Sequence, residues 1–291
     1  MPQHNSHFPS IQAWIQALEQ SKDMTGSWIN FRYPATDASL NPECSGGNCP
    51  QSLDDFCQQT RDLHGLESTI QQIQYLARDL QLDLPQLTST KRIKAWGTAG
   101  STVAVQRVLH GSTKPWRRTS STPAVRTVRT ATLIIPCGWS WSMTPADILW
   151  TISTSCAYAS MLHDTGISIE IVTLYAIKGV WGNVDNLTTI TLKSLGSSWD
   201  FHSLALLCQA AFTRRGLFRY LEMHIPTYRA INGWYGSPIT CCTDLRVMLT
   251  NHTSWQPTQA VLWGATSADN ITDHTSAKAW IQAQNATPLV A

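Results

Sequence analysis

The chain has 291 residues, 43% of them hydrophobic, and a formal net charge of only +2. This length suffices for one large domain or two ordinary domains with a buried core. No stretch approaches the ~18 consecutive apolar residues of a membrane-spanning helix, and the first residues lack the basic start and apolar run of an export signal, so we expect a soluble, cytoplasmic, globular protein without a membrane partner.

The first 128 residues are predicted to be mostly helical or irregular. Apolar residues recur at helical spacing over residues 11–18 and again over 66–82, which predicts two helices. Residues 26–50 are rich in Gly, Pro, Asn and Ser, a composition typical of a loop. Pro85 follows the second helix and favours its termination.

Four potential metal ligands lie in this region, namely Cys44, Cys49, Cys57 and His64. Their spacing departs from the two to four residues that commonly separate the paired ligands of structural zinc sites. Zinc binding and a Cys44–Cys49 disulfide are therefore alternatives. For a chain of this length without an export signal, we expect unlinked thiols.

Residues 91–129 form a basic block with nine Lys/Arg and no Asp/Glu, whereas residues 1–90 carry 4 Lys/Arg and 10 Asp/Glu, a net charge of 4 − 10 = −6. We predict an extended piece at 92–96, a short helix through 103–109 and a linker or arm over 112–127. The boundary between an N-terminal region, 1–128, and an α/β domain, 129–291, follows from this pattern. The block can bind a polyanion, or it can lie against the protein's own acidic half.

The basic block also supplies a candidate nucleic-acid interface. Tryptophan next to cations is a combination that stacks on the bases and neutralises the phosphates of single-stranded nucleic acid. The candidate residues are Lys91, Arg92, Lys114, Trp116, Arg117 and Arg118. No signature of an RNA-binding fold accompanies them, so packing of the tryptophan in a core or interface is the competing interpretation.

From about residue 130 onward, alternating strands and helices predict an α/β fold with a mainly parallel sheet flanked by helices on both faces. The predicted strands are 130–136, 167–176, 188–195 and 260–263, of which 188–195 alternates like a half-exposed strand. The predicted helices are 144–165, 200–209, 210–224 and 275–284. The first of them has clear end signals, since Thr144 and Asp147 suit a capping box, Pro145 the first helical position and Gly166 a left-handed stop.

The junction between the strand 130–136 and this helix reads Pro-Cys-Gly-Trp-Ser-Trp-Ser-Met over residues 136–143. It resembles the von Willebrand factor A family, where the same junction carries Asp-x-Ser-x-Ser, often followed by Met, and forms most of a metal-ion-dependent adhesion site. Ser140, Ser142 and Met143 match that motif, and Gly138 stands in place of the Asp. The resemblance covers residues 130–176, is apparent particularly with the version of the domain in the cobalt-chelatase large subunit, and implies the α/β fold of the family.

The glycine at position 138 predicts that this site holds no metal. Sites for Mg²⁺ generally use one or two carboxylates, and two serine hydroxyls do not supply that charge. Asp147 is expected to serve the helix cap, and Asp185 or Asp200 are the acids that the rim of the sheet could add.

The start of the helix is instead a candidate site for a partner or an anion, because free amides and the helix dipole favour negative charge there. The candidate residues are Ser140, Ser142, Thr144, Arg214 and Arg215, with a purely structural role for the hydroxyls as the alternative. For the arginine pair, the alternative is a salt bridge to Glu222 or Asp200.

A second, broader resemblance rests on residues 100–111, the degenerate Ser-containing strand end, the Asp-Thr-Gly-Ile turn at 164–167, and Leu192-Lys193 followed by Asp200 and Arg214-Arg215. These segments look like a group of uncharacterised proteins, a domain of unknown function, of tailed bacteriophages and their bacterial hosts. The resemblance implies a phage or prophage origin, hence the host cytoplasm or the virion, and carries no known activity.

No catalytic arrangement stands out in the sequence. Residues 138–142 are not the Gly-x-Ser-x-Gly elbow of hydrolases, because the last position is Ser, and no pair of histidines has the spacing of a helical metal site. We therefore expect a non-enzymatic protein-binding or scaffold protein with no cofactor and an unidentified protein partner. Nucleic-acid binding through 91–129 is the alternative, and a metal-assisted enzyme is the second alternative.

Overall fold

The computed structural model describes residues 3–20, 53–62, 66–83, 90–98, 102–123, 129–139, 143–178, 185–209, 212–217, 220, 237–238, 242–252 and 254–286. The strands are β1 (Gln3–Phe8), β2 (Thr90–Gly97), β3 (Thr102–Val103), β4 (Trp116–Pro123), β5 (Arg129–Pro136), β6 (Ile167–Lys178), β7 (Asp185–Lys193), β8 (Ser237–Pro238) and β9 (Ala260–Trp263). The helices are α1 (Ile11–Glu19), α2 (Leu53–Asp62), α3 (Glu67–Asp83), α4 (Val105–Leu109), α5 (Pro145–Asp164), α6 (Phe201–Leu207), α7 (Cys242–Thr250) and α8 (His274–Ala286). A π-helical turn covers Phe212–Leu217 and a 3₁₀ turn covers Ser267–Asp269.

The main sheet has five strands in the order β1–β7–β6–β5–β9, and the short strand β8 joins it through β6. Strand β5 is parallel to both of its neighbours, β6 and β9, and β1 is parallel to β7. Only the β6–β7 pair within the row of five is antiparallel. The predicted α/β class with a mainly parallel sheet is therefore confirmed.

Helices cover both faces of this sheet. Along β5, Leu133 and Ile135 belong to the larger hydrophobic cluster, which also contains residues of α1, α3, α5 and α8. Ile134 belongs to a second cluster with Leu245, Met248 and Leu249 of α7. Because successive side chains of a strand point to opposite faces, the two clusters are the two sides of one sheet.

The sheet and the larger cluster both contain residues from before and after position 128. Strand β1 forms one edge of the sheet, and Trp14 of α1 and Ile73 of α3 are fully buried beside Ile152 of α5. Helix α3 packs along α5. The division at residue 128 remains a prediction about domains, but the core is common to both sides of it.

The interpretation of 188–195 as a half-exposed strand is wrong. All side chains from Asn186 to Lys193 are buried, because both faces of β7 are covered: Ile190 and Leu192 enter the larger cluster and Leu187 enters the second. Thr189 shows the consequence, since its hydroxyl donates to the Ser6 carbonyl of β1 at 3.3 Å. The hydroxyl of Thr188 likewise donates to Oδ1 of Asn186 at 3.1 Å, so both buried hydroxyls have acceptors inside the sheet.

The segment 112–127, predicted as a linker, contains β4. This strand pairs antiparallel with β2 and β3 in a separate three-stranded sheet. The Ser/Thr/Pro composition favoured a linker, but Trp116, Thr119 and Thr122 are residue types that also suit strands. The predicted extended piece at 92–96 is confirmed within β2, and the predicted short helix begins two residues later, as α4.

The predicted helix 210–224 is only partly described, and its described part is a π-helical turn, Phe212–Leu217. Gly216 lies in this turn directly against Trp14 of α1. The remaining predicted helices and strands of the second half are confirmed within a few residues. None of the described helices has the length and hydropathy required to cross a membrane.

Two histidines connect β1 to the loop after α7. His252 is buried, its Nδ1 accepts from the Trp255 amide at 2.9 Å, and its Nε2 lies 3.3 Å from the Ser6 carbonyl. Since the Trp255 amide is a donor, Nε2 must carry the proton and donate to Ser6, which defines a neutral imidazole. His7 stacks on Trp255 with ring centroids 5.5 Å apart, and its Nδ1 lies 3.0 Å from the Thr189 hydroxyl.

We expect acid to weaken this connection. Burial lowers the pKa of His252 below its ordinary value of 6.5. The pKa of His7 is also lowered, mainly by burial and to a smaller extent by charge repulsion from His252. The unfolded chain therefore binds more protons as the pH falls below 6.5, so the free energy of unfolding is largest above that pH and decreases below it. Urea unfolding between about pH 7.5 and 5.5 measures the slope. His252→Asn, which keeps an acceptor without a titrating group, should reduce that slope, and an unchanged slope would contradict the assignment.

Candidate functional site

The start of α5 has the predicted cap. The Thr144 hydroxyl accepts from the Asp147 amide at 3.2 Å, and the Asp147 carboxylate accepts from the Thr144 amide at 2.9 Å and from its hydroxyl at 2.7 Å. Pro145 is the first helical residue. At the other end, Gly166 has φ of +90°, the left-handed conformation predicted from its position.

Two of the three acids considered for this site serve helix caps, and the side chain of the third, Asp185, lies outside the described part of the chain. Asp147 is held by the cap of α5. Asp200 caps α6, where its carboxylate accepts from the amides of His202 and Ser203 and from the Ser203 hydroxyl. Gly138 has no side chain that could coordinate a metal ion. Because the Asp147 and Asp200 carboxylates serve helix caps, neither supplies the free carboxylate that a Mg²⁺ site generally uses. Among the described residues, no group of three or more His, Cys, Asp or Glu is placed to hold a metal ion.

The other predicted site residues are only partly visible. Ser140 and Ser142 lie outside the described residues, as do Cys44, Cys49 and His64, and the structure describes only the backbone of Arg214 and Arg215, in the π-helical turn. Lys91 and Arg92 lie in β2, Trp116, Arg117 and Arg118 in β4, and Lys114 is exposed in the turn before β4. The structure therefore brings the nucleic-acid candidates together in and beside one small sheet. Of the candidate residues at the start of the helix, Thr144 is the one whose side chain is described.

A groove lies beside Thr144, between α3, the first turns of α5 and the end of α6. Its volume is about 570 Å³. Helix α3 contributes Gln72 and Tyr75, and α5 contributes Leu149 and Trp150. Because α5 begins where β5 ends, the groove adjoins the carboxyl end of a central parallel strand.

Contacts behind the groove fix its walls. The indole Nε1 of Trp139, directly after β5, donates to the Leu207 carbonyl of α6 at 2.9 Å and ties the end of that helix to the sheet. On the other wall, the Trp150 ring packs edge-on against His274, with centroids 6.5 Å apart. The His274 Nε2 in turn lies 3.5 Å from the Asp79 carboxylate of α3. These contacts connect α6 to the end of β5, and they connect α5 to α3 through His274 of α8.

The lining of the groove is uncharged. Its side chains are hydroxyls, amides, aromatic rings, aliphatic groups and one thiol, contributed by Ser68, Thr69, Gln72, Tyr75, Leu76, Pro145, Ala146, Leu149, Trp150, Cys208 and Gln209. Burial, and secondarily the neighbouring Cys156, raises the pKa of the Cys208 thiol well above its ordinary range. The thiol is therefore neutral near pH 7 and a poor nucleophile. This lining suits binding through apolar contacts and hydrogen bonds.

Three cysteines whose side chains are described, Cys137, Cys156 and Cys208, are thiols without a disulfide bond. Burial raises the pKa of Cys137 and of Cys156 to about 12, so both behave as small core residues. Cys57 is buried on α2, and its zinc role with the undescribed ligands stays a hypothesis.

Sequence reasoning missed the groove. Its residues come from positions 68–76, 145–150 and 208–209, and only their packing brings them together. One signal was present in α3, where Tyr75 is 69% exposed and sits outside the apolar stripe that includes Ile73 and Ala77. A large aromatic residue on the polar side of an amphipathic helix is a known mark of interaction surfaces.

The fold and the groove define an α/β protein with a ligand-sized opening at the carboxyl end of its sheet. Comparison with known families gives its membership. Residues 2–274 match the family described as Domain of unknown function (DUF7192), and the chain belongs to that family. No curated protein and no solved structure matches the chain significantly.

Proposed function

We propose that the chain is a non-enzymatic protein-binding or scaffold protein that takes a segment of its partner in the groove between α3, α5 and α6. The observation that carries the proposal is the uncharged, aromatic lining with Tyr75 and Trp150 on facing walls. Protein interfaces combine such aromatic anchors with amide and hydroxyl groups that pair with the partner's backbone. A Mg²⁺ ion would instead require carboxylate ligands at the lining.

The proposal includes a metal-free domain similar to the von Willebrand factor A module. In open α/β sheets, ligands bind outside the carboxyl ends of the strands, and the groove adjoins that end of β5. Gly138 supplies no carboxylate, and the Asp147 and Asp200 carboxylates serve helix caps. Partner binding should therefore be independent of divalent ions. A phage or prophage origin is part of the proposal and rests on the sequence resemblance.

The groove can be tested with a peptide selected from a random displayed library in the presence of a chelator. Tyr75→Ala should weaken binding of the selected peptide by about tenfold, because it removes an aromatic anchor. Leu82→Ala is the matched control, since Leu82 lies on the same helix, is 76% exposed and does not line the groove. Fluorescence anisotropy of the labelled peptide measures both affinities.

Three outcomes would count against this function. One is a selection that returns binding peptides only when Mg²⁺ replaces the chelator, and another is equal weakening of peptide binding by the two substitutions. The third is calorimetric uptake of Mg²⁺, Mn²⁺ or Zn²⁺ at the start of α5, which would favour a metal-assisted enzyme.

A further inference from the structure

Exposed apolar side chains are concentrated around α4. Of the nine large apolar side chains that are exposed in the described part of the chain, five lie between positions 103 and 116. They are Val103, Val105, Val108, Leu109 and Trp116, and we refer to them as the α4 surface. Helix α4 has no buried residue. Its aliphatic side chains at positions 105, 108 and 109 have the i, i+3, i+4 spacing of one helix face.

The α4 surface is continuous with the small sheet. Val103 of β3 pairs with Trp116 of β4, and the Ala104 amide donates to the Pro115 carbonyl at 2.9 Å, which seats the start of α4 beside β4. In the ladder, Lys91 and Arg118 occupy register positions on the same face as Trp116. By the same alternation, Arg92, Lys94 and Arg117 occupy positions on the opposite face, so the small sheet next to α4 has cationic positions on both faces.

The charge of the unit has one sign. Residues 90–123 contain seven Lys/Arg and no Asp/Glu. A surface of this kind attracts anions. The 78% exposed Leu109 and the 63% exposed Val105 additionally favour an environment that removes them from water. Nucleic acid would pair with the cations but would leave these aliphatic side chains in water.

We propose that the α4 surface docks on an anionic phospholipid surface. The aliphatic side chains of α4 enter the boundary between headgroups and acyl chains, and the surrounding Lys and Arg contact lipid phosphates. Trp116, which is 37% exposed, has the amphipathic ring that favours this boundary. The docking is peripheral and separate from the groove of the proposed function, so either can fail without the other.

Sedimentation of the full chain with vesicles tests the proposal. Vesicles of phosphatidylcholine with about one third phosphatidylserine should bind the protein at low salt, and pure phosphatidylcholine should bind it weakly. Raising NaCl from about 0.05 to 0.5 M should reduce binding, because salt screens the charge attraction. Failure to bind the anionic vesicles at low salt would overturn the proposal.

Two leucines of similar exposure, Leu109 and Leu82, can each be replaced by serine to distinguish docking through the α4 surface from nonspecific charge attraction. Leu109→Ser should weaken vesicle binding by about tenfold, because it removes an inserted aliphatic side chain without changing charge. Leu82→Ser, at 76% exposure on α3, should leave binding unchanged. Equal effects of both substitutions would overturn the proposal.

A parallel measurement with single-stranded oligonucleotide identifies the competing partner. Salt-sensitive oligonucleotide binding that is lost in Arg117→Ala/Arg118→Ala but insensitive to Leu109→Ser, together with no vesicle binding, would assign the surface to nucleic acid and reject the lipid proposal.

Discussion

Gly216→Ala is expected to destabilise the protein by about 2–3 kcal/mol through overpacking. A Cβ at this position would lie 2.5 Å from Cη2 of Trp14 and 2.7 Å from Cζ of Phe56. Trp14 is fully buried and contacts Phe56 and Phe212 edge-on or tilted, so its ring cannot move aside cheaply. In a helical turn without such crowding, alanine would instead stabilise by about 1 kcal/mol relative to glycine.

Urea unfolding of four proteins in a double-mutant cycle measures this effect: the wild type, Gly216→Ala, Trp14→Phe and the double variant. The smaller phenylalanine ring should relieve part of the crowding, so the two substitutions should couple by about 1 kcal/mol. A stabilising or neutral Gly216→Ala would show that the π-helical turn does not pack against α1 as described.

Ser155→Ala is expected to cost about 2 kcal/mol, because it leaves a buried amide without its acceptor. The Ser155 hydroxyl accepts from the Ala265 amide at 2.9 Å and donates to the Thr151 carbonyl at 3.0 Å. Ala265 is fully buried at the end of β9. The hydroxyl therefore connects the middle of α5 to the carboxyl end of the sheet.

Ser153→Ala is a matched control on the same helix. Ser153 is equally buried, but its hydroxyl has no hydrogen-bond partner among the described residues. Both substitutions gain the same helix propensity, so the difference between them isolates the hydrogen bonds. Ser153→Ala should be neutral or stabilising in urea unfolding, and equal destabilisation by the two substitutions would refute the assigned role of Ser155.

The second half of the fold was predictable because its signals are local. Thr144 and Asp147 are three residues apart, and their capping box depends on little beyond α5 itself. The left-handed conformation of Gly166 was likewise predictable, because it depends only on the turn that ends α5. The apolar β-branched run of β6 predicted a strand, and burial on both faces of the sheet explains that composition.

Strand β1 was not predicted, because nothing within its own six residues specifies it. Asn5, Ser6 and His7 form no apolar run, and they become part of the sheet through contacts such as that between His7 and Thr189, 182 positions away. Strand β4 was missed for a related reason, since its serines and threonines suit a linker equally well. In both cases the partner strand decided the structure, and composition did not.

In the candidate site, too, the local features were predictable from the sequence and the features that depend on packing were not. The cap at Thr144 followed from the sequence, whereas the groove beside it required α3 and α6 to pack against α5. The predicted role of Asp147 in the cap is confirmed by its bonds to Thr144. The block 91–129 was predicted to be basic, but the exposed aliphatic side chains of the α4 surface became evident only from the structure.

The pairing of β1 with β7 also sets an order of events during synthesis. Residues 3–8 are synthesised well before the strand that receives them, which ends at Lys193. Until that strand has been translated, the earlier segment has no template, and residues such as Ser6 remain hydrated. Strand β1 is therefore accessible to nascent-chain factors while the intervening residues are made, and it closes the edge of the sheet only afterwards.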